Sequence, residues 1–411
     1  MKNRTLFSSA DICLPQLSVS QIDCWKKWAV IACDQFTSDP AYWEEAATIR
    51  QGSDSALDLI LPEAYLGTQK EATHKSHIAE RMDEMNFVTY SNSMMWIERT
   101  LPDGRVRQGI LGKIDLERYD YSVGSTSAVR ATEATVLERI PPRMAIREAA
   151  VYELPHVMLL IDDKDGLLRR IASRKKEFKK VYDFELMLGG GSIAGSCING
   201  SVLYEIAEWI AEYESSLEGE LIYAVGDGNH SLASAKAFYE KLKAEQGDAA
   251  LDHPARYALV ELTALQSRAL DFEPIYRVVT DCDVQDFLDA LGQISGEKKR
   301  CAQTVRVVTQ AEDKEISFLK KSHALTVGTL QNFIDEYIEK HPGVKCDYIH
   351  DEDALITLAK RENCVGFLFN GMKKSELFPY VQKNGTLPRK TFSMGEARSK
   401  RYYIEARKIM R

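Results

Sequence analysis

Residues 221–243 constrain the fold more than any other segment, because a buried strand, a tight turn and a helix follow one another there. Residues 221–225 (LIYAV) are apolar at every position, as expected for a strand inside a sheet that is covered on both faces. After the turn GDGNHS, apolar residues recur at helical spacing, which predicts an amphipathic helix. The turn is therefore expected at the carboxyl edge of a sheet, where open α/β sheets bind ligands.

The residue types of this turn permit two interpretations. Gly226 and Gly228 allow positive φ angles or the close approach of a ligand, and Asn229 or Ser231 would cap the helix. The backbone N–H groups and the dipole at a helix start favour phosphate or carboxylate. The same residue types occur in any tight strand-to-helix connection. Since the spacing is neither a P-loop nor G-x-G-x-x-G, it leaves an anion site and a structural turn evenly balanced.

Two side chains of the turn are suited to chemistry. His230 would donate a hydrogen bond to a bound anion or transfer a proton near neutral pH. Asp227 would bind Mg²⁺ through its oxygen atoms or orient His230. Both residues are therefore predicted catalytic residues, and Asp227 is also the predicted metal ligand.

The whole chain is predicted to be α/β or α+β, with a mixed sheet flanked by helices and a smaller C-terminal α/β lobe. Residues 1–281 would form the main domain and carry the site. Residues 282–370, where short strands alternate with helices, would form the smaller α/β or α+β lobe. Residues 371–411 would return to the main domain, and their basic end has the pattern of a charged surface helix. Period-two segments around residues 102–104 (PDG) predict a hairpin.

Composition narrows the possible partners. The net charge is -8, from 53 basic and 61 acidic residues, which argues against a general binder of nucleic acid or of anionic membranes. No apolar run is long enough to span a bilayer. The eight cysteines are single, without the spacing of zinc ligands. We therefore expect a cytoplasmic protein that acts on a small-molecule substrate, with no membrane or nucleic-acid partner; the oligomeric state is left open.

Five short segments, in order along the chain, resemble a bacterial family of unknown function, the DUF family numbered 1015. The turn VGDGNHSLASAKA resembles its Asp-Gly-His-His-Arg box, and ACD, which ends at Asp34, stands where the family has Pro-Tyr-Asp. RATEAT, which begins at Arg130, resembles Arg-Pro-His-Glu-x-Thr, with Arg143 at the matching distance. PIYR, which ends at Arg277, resembles Pro-Thr-His-Arg, and LPRKT, which contains Lys390, resembles Met-Pro-x-Lys-Ser/Thr.

The sequence departs from this pattern at four positions. Asn229 replaces the first histidine of the box and Ser231 replaces its arginine, while Thr132 and Tyr276 replace two further histidines. An arginine binds phosphate through two parallel hydrogen bonds, which a serine cannot do. The phosphate charge would then be offset by three other cations: Arg143, Arg277 and Lys390.

The box is also similar, more remotely, to a Gly-x-His-Arg loop of the ParB and sulfiredoxin-like superfamily. In that superfamily the loop holds nucleotide phosphates, and some members are free-serine kinases. The resemblance implies a nucleotide- or phosphate-binding enzyme. Its reaction would be phosphoryl transfer, by a small-molecule kinase, to a hydroxylated metabolite such as an amino acid, with ATP or ADP as co-substrate and Mg²⁺. Glu133 would accept the hydroxyl proton, Gly228, Asn229 and Ser231 would bind the phosphate, and Asp34 and Arg130 would shape the pocket.

Other functions stay open at this point. A non-catalytic sensor that binds a nucleotide or anion and contacts a protein partner would explain the replaced histidines and arginine. DNA binding, by analogy with ParB, is opposed by the acidic composition. On composition alone, Glu133 among arginines also fits an ion pair on a solvated face.

Overall fold

The computed structural model of the chain describes residues 5–17, 22–37, 39–297 and 303–410. These residues divide into two compact units. The first contains the described residues up to 270 together with 381–385 and 396–410, and the second contains 271–380 and 386–395 within the described ranges. The chain thus crosses from one unit to the other at residues 271, 381, 386 and 396.

A large mixed sheet is the centre of the first unit. The strands described in this unit up to residue 270 are β1 (Phe7–Ser8), β2 (Ala10–Pro15), β3 (Phe87–Thr100), β4 (Val106–Asp115), β5 (Tyr119–Asp120), β6 (Val129–Ala131), β7 (Tyr152–Glu153), β8 (Met158–Ile161), β9 (Lys179–Glu185), β10 (Ser192–Ile198), β11 (Tyr223–Asp227) and β12 (Tyr257–Ala264). All of them except β7 belong to the large sheet. The sheet order is β5-β6-β11-β8-β12-β4-β3-β10-β9, while β1 pairs with β4 and β2 with β3. The turn at residues 102–104 joins β3 to β4, which confirms the predicted hairpin.

Helices flank this sheet. Those of the first unit, within the described residues, are α1 (Ile22–Trp28), α2 (Pro40–Ile49), α3 (Gln69–Glu84), α4 (Ile140–Ala149), α5 (Leu167–Ala172), α6 (Gly200–Ser216) and α7 (Asn229–Gln246). The mixed sheet flanked by helices confirms the predicted fold class. No helix in the described part of the chain is both long and apolar enough to cross a membrane.

Both faces of the sheet are buried, as two successive residues of β12 show. Leu259 belongs to one apolar core, with Trp28, and Val260 belongs to a second core, with Leu232 of α7. Successive side chains of a strand point to opposite faces, so the two cores lie on the two sides of the sheet. β11 is covered in the same way, since Tyr223, Ala224 and Val225 have no exposed surface. The strand expected at residues 221–225 is present but shifted by two residues, because β11 begins at Tyr223 and includes Gly226 and Asp227 of the predicted turn.

The second unit contains two smaller sheets. Its described elements are β13 (Phe272–Pro274), β14 (Tyr276–Thr280), α8 (Val284–Gly292), β15 (Ser295–Glu297), β16 (Thr304–Val308), β17 (Asp313–Phe318), α9 (Thr326–Lys340), β18 (Lys345–Ile349), α10 (Glu352–Ala359), β19 (Val365–Leu368) and β20 (Phe392–Met394), with α11 (Leu377–Asn384) beginning there. One sheet has the order β15-β17-β16-β19-β14-β18, and the other pairs β13 with β20.

The boundaries between the units differ from those inferred from the sequence. The segment 271–281, assigned to the main domain, belongs to the second unit. The reason is strand pairing, because β14 pairs with both β18 and β19. Residues 386–395, expected to return to the main domain, also belong to the second unit, since β20 pairs with β13.

The end of the chain is extended and buried within the first unit, so the expectation of a charged surface helix is wrong. Its only strand among the described residues is β21 (Arg407–Lys408), which pairs with β7. The indole Nε1 of Trp28 donates to the carbonyl of Ile404 at 2.9 Å, and the amide of Tyr403 donates to Val30 at 2.8 Å. Residues 396–410 are called the C-terminal strap below.

Buried ion pairs hold this strap in place. Nε of Arg401 lies 2.8 Å from Oε2 of Glu261, and its Nη2 lies 2.7 Å from Oε2 of Glu405. Nε of Arg407 lies 2.6 Å from Oε1 of Glu153. Arg401 and Arg407, two of the basic residues that suggested a solvated helix, are instead neutralised inside the unit, because buried charges require partners.

Candidate functional site

Two parallel strands end side by side at one edge of the large sheet. Val225 of β11 is in register with Ala131 of β6. Parallel strands present their carboxyl ends at the same edge, so the turn after β11 and the segment after β6 are neighbours there. These are the GDGNHS turn and the RATEAT segment, which the resemblance had singled out separately.

Asn229 connects these two segments directly. The amide of Thr132 donates to Oδ1 of Asn229 at 3.3 Å, and Nδ2 of Asn229 lies 3.5 Å from Oγ1 of Thr132. Oγ1 of Thr132 donates in turn to the carbonyl of Val225 at 2.6 Å. The side chain of Asn229 therefore connects the turn after β11 to the segment after β6. The predicted contact with a phosphate would be made by its backbone N–H.

His230 makes the second connection. Its Nε2 accepts the amide N–H of Val136 at 3.2 Å. Because an accepting imidazole nitrogen carries no proton, the predicted proton transfer by His230 would have to run through Nδ1. The contact places the backbone on either side of Glu133 against the start of α7, and Glu133 itself is partly exposed.

The start of α7 is formed by a glycine. Its N-cap is Gly228, with φ +87° and ψ 27°, and no side chain caps the helix; the capping predicted for Asn229 or Ser231 is therefore wrong. A Cβ at Gly228 would lie 3.0 Å from Cγ2 and 3.1 Å from Cα of Val157. Only glycine fits this position, both for its left-handed backbone and for the neighbouring strand.

Asp227 is paired with a lysine from the C-terminal strap. Nζ of Lys400 lies 3.3 Å from Oδ2 of Asp227, and only 8% of the lysine side chain is exposed. Oδ1 of Asp227 accepts the amide of Gly228 at 2.9 Å. Across the described residues, no group of three or more His, Cys, Asp or Glu side chains is placed to hold a metal. The residues around Asp227 therefore do not form a protein-built Mg²⁺ site.

A histidine and a tyrosine lie beside this ion pair. His156 precedes β8, whose Met158 is in register with Asp227. Nδ1 of His156 lies 2.5 Å from the hydroxyl oxygen of Tyr403 in the strap. Burial, opposed by the charge of Asp227 and reinforced by that of Arg143, lowers the pKa of His156 to about 4. Arg143 of α4 thus acts on His156 through its charge, and its phosphate-binding role stays a prediction.

Arg130 lies on β6, one strand from the turn. Its side chain is buried, with 6% of the residue exposed, and Nε donates to the carbonyl of Ser127 at 2.6 Å. Burial lowers its pKa, and no carboxylate pairs with it within the described ranges. The neighbouring residue in register on β11 is Ala224.

Arg277 and Lys390 lie in the second unit. Arg277 has no exposed surface. Its Nε donates to Gln331 at 2.7 Å, and its Nη2 donates to the carbonyls of Arg389 and Lys390 at 2.9 and 3.1 Å. These bonds tie β14 to the loop before β20, and the phosphate-binding role of both residues stays a prediction.

Asp34 lies in a short 3₁₀ turn, Asp34–Phe36, in the first unit. Its side chain is outside the described part of the structure, so the pocket-shaping role stays a prediction. The neighbouring Cys33 is close enough to Tyr403 to act on its pKa, which places this segment near the strap.

Sequence reasoning missed three residues of the site: His156, Lys400 and Tyr403. A signal was present in the strap, where the aromatic and aliphatic residues YYI follow the basic run at residues 400–401. Such a run suits a buried extended segment better than a surface helix. His156 carried no signal beyond its place before a strand.

The chain was compared with curated proteins, with solved structures and with protein families. A comparison with curated proteins found no match. Among solved structures, a conserved hypothetical protein from Pyrococcus furiosus is similar with 10% identity and a TM-score of 0.36, covering 71% of this chain and 90% of that one. SbnI with a C-terminal truncation, from Staphylococcus aureus, has 11% identity and a TM-score of 0.36, covering 69% and 82%. A free serine kinase in complex with AMP has 11% identity and a TM-score of 0.33, covering 62% and 90%.

The family comparison covers most of the chain. The model described as "Protein of unknown function (DUF1015)" matches residues 20–347, a range that contains the turn after β11, the segment after β6 and Arg277. The chain belongs to the DUF1015 family.

Proposed function

We propose that the first unit binds the phosphate of a nucleotide at residues 227–231 and transfers a phosphoryl group to a small hydroxylated acceptor. The observation that carries this proposal is the pair of contacts from Asn229 to Thr132 and from His230 to Val136. They bring the segment of Glu133, the proposed base, to the uncapped start of α7. A base and an anion site are the two parts that such a reaction requires.

The start of α7 would receive the phosphate. A long helix presents backbone N–H groups and a partial positive charge at its first turn. The hydroxyl of Ser231 makes no hydrogen bond to another described residue, so it would donate to a phosphate oxygen. Lys400 and Arg143 add positive charge on the same side of the site.

Glu133 would act on the acceptor. The acceptor oxygen forms a new bond to phosphorus while the bond from phosphorus to the leaving nucleotide oxygen breaks, and the hydroxyl proton passes to the Glu133 carboxylate. Arg130, a buried cation without a carboxylate partner in the described residues, would bind an anionic group of the acceptor, such as the carboxylate of an amino acid.

Asp227 has a supporting role in this proposal. Its two oxygen atoms contact Lys400 and the amide of Gly228, so it holds the lysine in position. No cluster of metal ligands is present in the described residues, and the proposed reaction assigns no catalytic step to Mg²⁺. The ion enters the experiment only as the usual counter-ion of a nucleotide.

A second candidate is a sensor that binds a nucleotide and does not turn it over. It is favoured by Ser231, which stands where the family pattern has an arginine and which provides no charge for the transition state. Such a protein would bind nucleotide at the start of α7 and change the surface that it presents to a partner protein.

One experiment separates the two functions. Purified protein is incubated with ATP or ADP, Mg²⁺ and a panel of hydroxylated amino acids, and ³¹P NMR detects a new phosphomonoester. The enzyme proposal expects turnover that falls about 10²- to 10⁴-fold in Glu133→Gln and is retained in the matched control Glu138→Gln, an exposed residue nearby. Nucleotide binding without product supports the sensor, and turnover unaffected by Glu133→Gln contradicts the role of Glu133.

A further inference from the structure

Two buried arginines are neighbours on the large sheet. Arg99 of β3 is in register with Arg107 of β4, and only 1% of Arg99 and 3% of Arg107 is exposed. Burial, reinforced by the charge of Arg107, lowers the pKa of Arg99 to about 10, and an arginine stays charged in a protein at neutral pH. Like charges on directly opposite residues of two strands are destabilising, so this arrangement weakens the sheet.

The hydrogen bonds of these arginines reach the C-terminal strap. Nη2 of Arg99 donates to the carbonyl of Arg398 at 2.9 Å, and Nη1 of Arg107 donates to the carbonyl of Ser399 at 2.8 Å. Hydrogen bonds from a charged donor are stronger than those between neutral groups. Two successive peptide groups of the strap are therefore each held by a different buried cation.

Ion pairing does not account for the two arginines. No carboxylate of the described residues contacts Arg99. Nε of Arg107 lies 3.9 Å from Oε1 of Glu261, beyond hydrogen-bond distance, and neither atom has a hydrogen-bond partner among the described residues. Glu261 is bonded to Arg401 instead. A buried charge is costly to desolvate, and a local cost of this kind is expected near a functional site.

The next residue of the strap is Lys400, and its backbone is fixed on both sides. It is extended, with φ −64° and ψ 168°, and its amide donates to the carbonyl of Ala397 at 3.2 Å. After it, Nη1 of Arg401 donates to the carbonyl of Pro155 at 2.9 Å. The lysine side chain thus begins from a peptide that has little freedom to move.

Lys400 reaches the start of α7 through Asp227. Its Nζ lies 3.3 Å from Oδ2 of Asp227, whose Oδ1 accepts the amide of Gly228, the N-cap of the helix. Burial lowers the pKa of Arg107, and the charge of Asp227 opposes this shift. A set of contacts thus leads from Arg107, through the Ser399 carbonyl and Lys400, to the turn after β11.

We propose that Arg107 is a positioning residue of the site, because it holds the carbonyl of Ser399 and thereby fixes the peptide from which Lys400 extends. This inference rests on the proposed function, in which Lys400 adds positive charge beside the phosphate. Arg107 acts through the lysine and does not contact the ligand. A lysine on a fixed backbone loses less conformational entropy when it binds a phosphate, so the affinity for a nucleotide reports the role of Arg107.

A double-mutant cycle tests whether Arg107 acts through Lys400. Calorimetry measures ADP binding to the unmodified full chain, to Arg107→Met, to Lys400→Met and to the protein with both changes. We expect Arg107→Met alone to lose about threefold to tenfold in affinity, the size of one hydrogen bond. In the Lys400→Met background the same change should cost less than about twofold, because the effects of residues that act through one another do not add.

Two further variants separate positioning from a general loss of stability. Arg407→Met removes another buried arginine of the strap, which pairs with Glu153. It should lower the melting temperature and keep ADP affinity within about twofold, since distant sites are independent. Arg107→Lys keeps a charged donor for the Ser399 carbonyl and should recover most of the affinity that Arg107→Met loses.

An NMR measurement on the unmodified protein keeps the test decisive if Arg107→Met does not fold. The ¹⁵Nζ signal of Lys400 is assigned by its loss in Lys400→Arg. Only 8% of this side chain is exposed, so its ammonium hydrogens should exchange with water more slowly than those of the exposed Lys408. Exchange as fast as that of Lys408 would mean that the lysine is not held in place.

The calorimetric results can overturn this inference while the proposed function survives. They do so if Arg107→Met keeps the unmodified affinity, or loses the same factor with and without Lys400. An equal loss in Arg407→Met, or no recovery in Arg107→Lys, would show that Arg107 affects binding only through the stability of the fold. If the unmodified protein does not bind ADP, the inference and the proposed function fail together.

Discussion

The amide of Thr132 donates to Oδ1 of Asn229 across 3.3 Å, although the two residues lie 97 positions apart in the chain. Both positions hold histidine in the family pattern that the sequence resembles. Two of the departures from that pattern are therefore in direct contact, and we infer that each replacement depends on the other. The contact also explains how the segment of Glu133 is kept at the start of α7.

Removing the Asn229 side chain, which bridges the two segments, should lower the stability of the protein, whereas removing the nearby Ser231 hydroxyl should not. Asn229→Ala leaves the buried amide of Thr132 without its acceptor, and we expect the free energy of unfolding to fall by about 1–2 kcal/mol. Ser231→Ala, which breaks no hydrogen bond to a described residue, should stay within about 0.5 kcal/mol of the unmodified protein. Urea unfolding measures both variants. Equal losses in the two would show that the Asn229 contact does not stabilise the site.

Lys400 should matter for binding far more than a lysine farther along the same strap. We expect Lys400→Met to weaken ADP binding about tenfold or more, because it removes a buried cation and leaves the charge of Asp227 to repel the phosphate. Lys408→Met, at an exposed position, is the matched control and should leave affinity within about twofold. Calorimetry with ADP measures both, and equal affinities would remove Lys400 from the site.

The buried ion pairs of the strap should dominate its contribution to stability. Both Glu261 and Glu405 are bonded to Arg401, and although burial alone would lower the pKa of that arginine, the two carboxylates raise it. Arg401→Met removes the cation that contacts both buried carboxylates, while Nε of Arg107 stays 3.9 Å from Oε1 of Glu261. We expect a loss of about 3–5 kcal/mol in the free energy of unfolding.

A surface arginine provides the comparison for that loss. Arg389 pairs with Asp335 at 2.5 Å, but 55% of its side chain is exposed. Arg389→Ala should cost no more than about 1 kcal/mol. Chemical denaturation of the two variants tests the contrast, and a loss at Arg401 as small as that at Arg389 would show that the strap is not held by its ion pairs.

His156 should give the protein a defined pH dependence of stability. Its folded pKa of about 4 lies below the value of about 6.5 in an unfolded chain. Between these values the unfolded state binds the proton and the folded state does not, so stability rises with pH across this window. His156→Gln removes the contribution of this histidine to the pH dependence. The free energy of unfolding of the variant should therefore rise less steeply from pH 4 to pH 6.5 than that of the unmodified protein.

The exposed His77 on α3 is the control for this measurement. His77→Gln should retain the slope of the unmodified protein, as followed by denaturation at a series of pH values. The same slope in His156→Gln would mean that the histidine titrates alike in the folded and unfolded states.

The site was partly foreseeable from the sequence because local patterns determine a strand, a turn and a helix. The apolar run before Gly226 predicted β11 two residues too early, and the helical spacing after the turn predicted α7. The approach of Thr132 to Asn229 depends on the parallel pairing of β6 with β11, which no local pattern of either segment encodes.

The strap shows why the rest was not foreseeable. Basic residues with interleaved glutamates have the pattern of a solvated helix, and only the partners of Arg401 and Arg407 reveal that these charges are neutralised inside the fold. Those partners, Glu261 and Glu153, lie 140 and 254 residues away in the chain. Lys400 and Tyr403 reach the site for the same reason.

The most direct test of the central claim is the binding of ADP, adenosine and inorganic phosphate to the unmodified protein and to Ser231→Asp, measured by calorimetry. A carboxylate in the first turn of α7 favours the helix through its dipole, so Ser231→Asp should keep the melting temperature, yet it should repel a phosphate. We predict that the unmodified protein binds ADP much more tightly than adenosine, and that Ser231→Asp weakens ADP binding at least tenfold. Equal affinity for ADP and adenosine, or unchanged ADP binding in Ser231→Asp, would contradict a phosphate site at the start of α7.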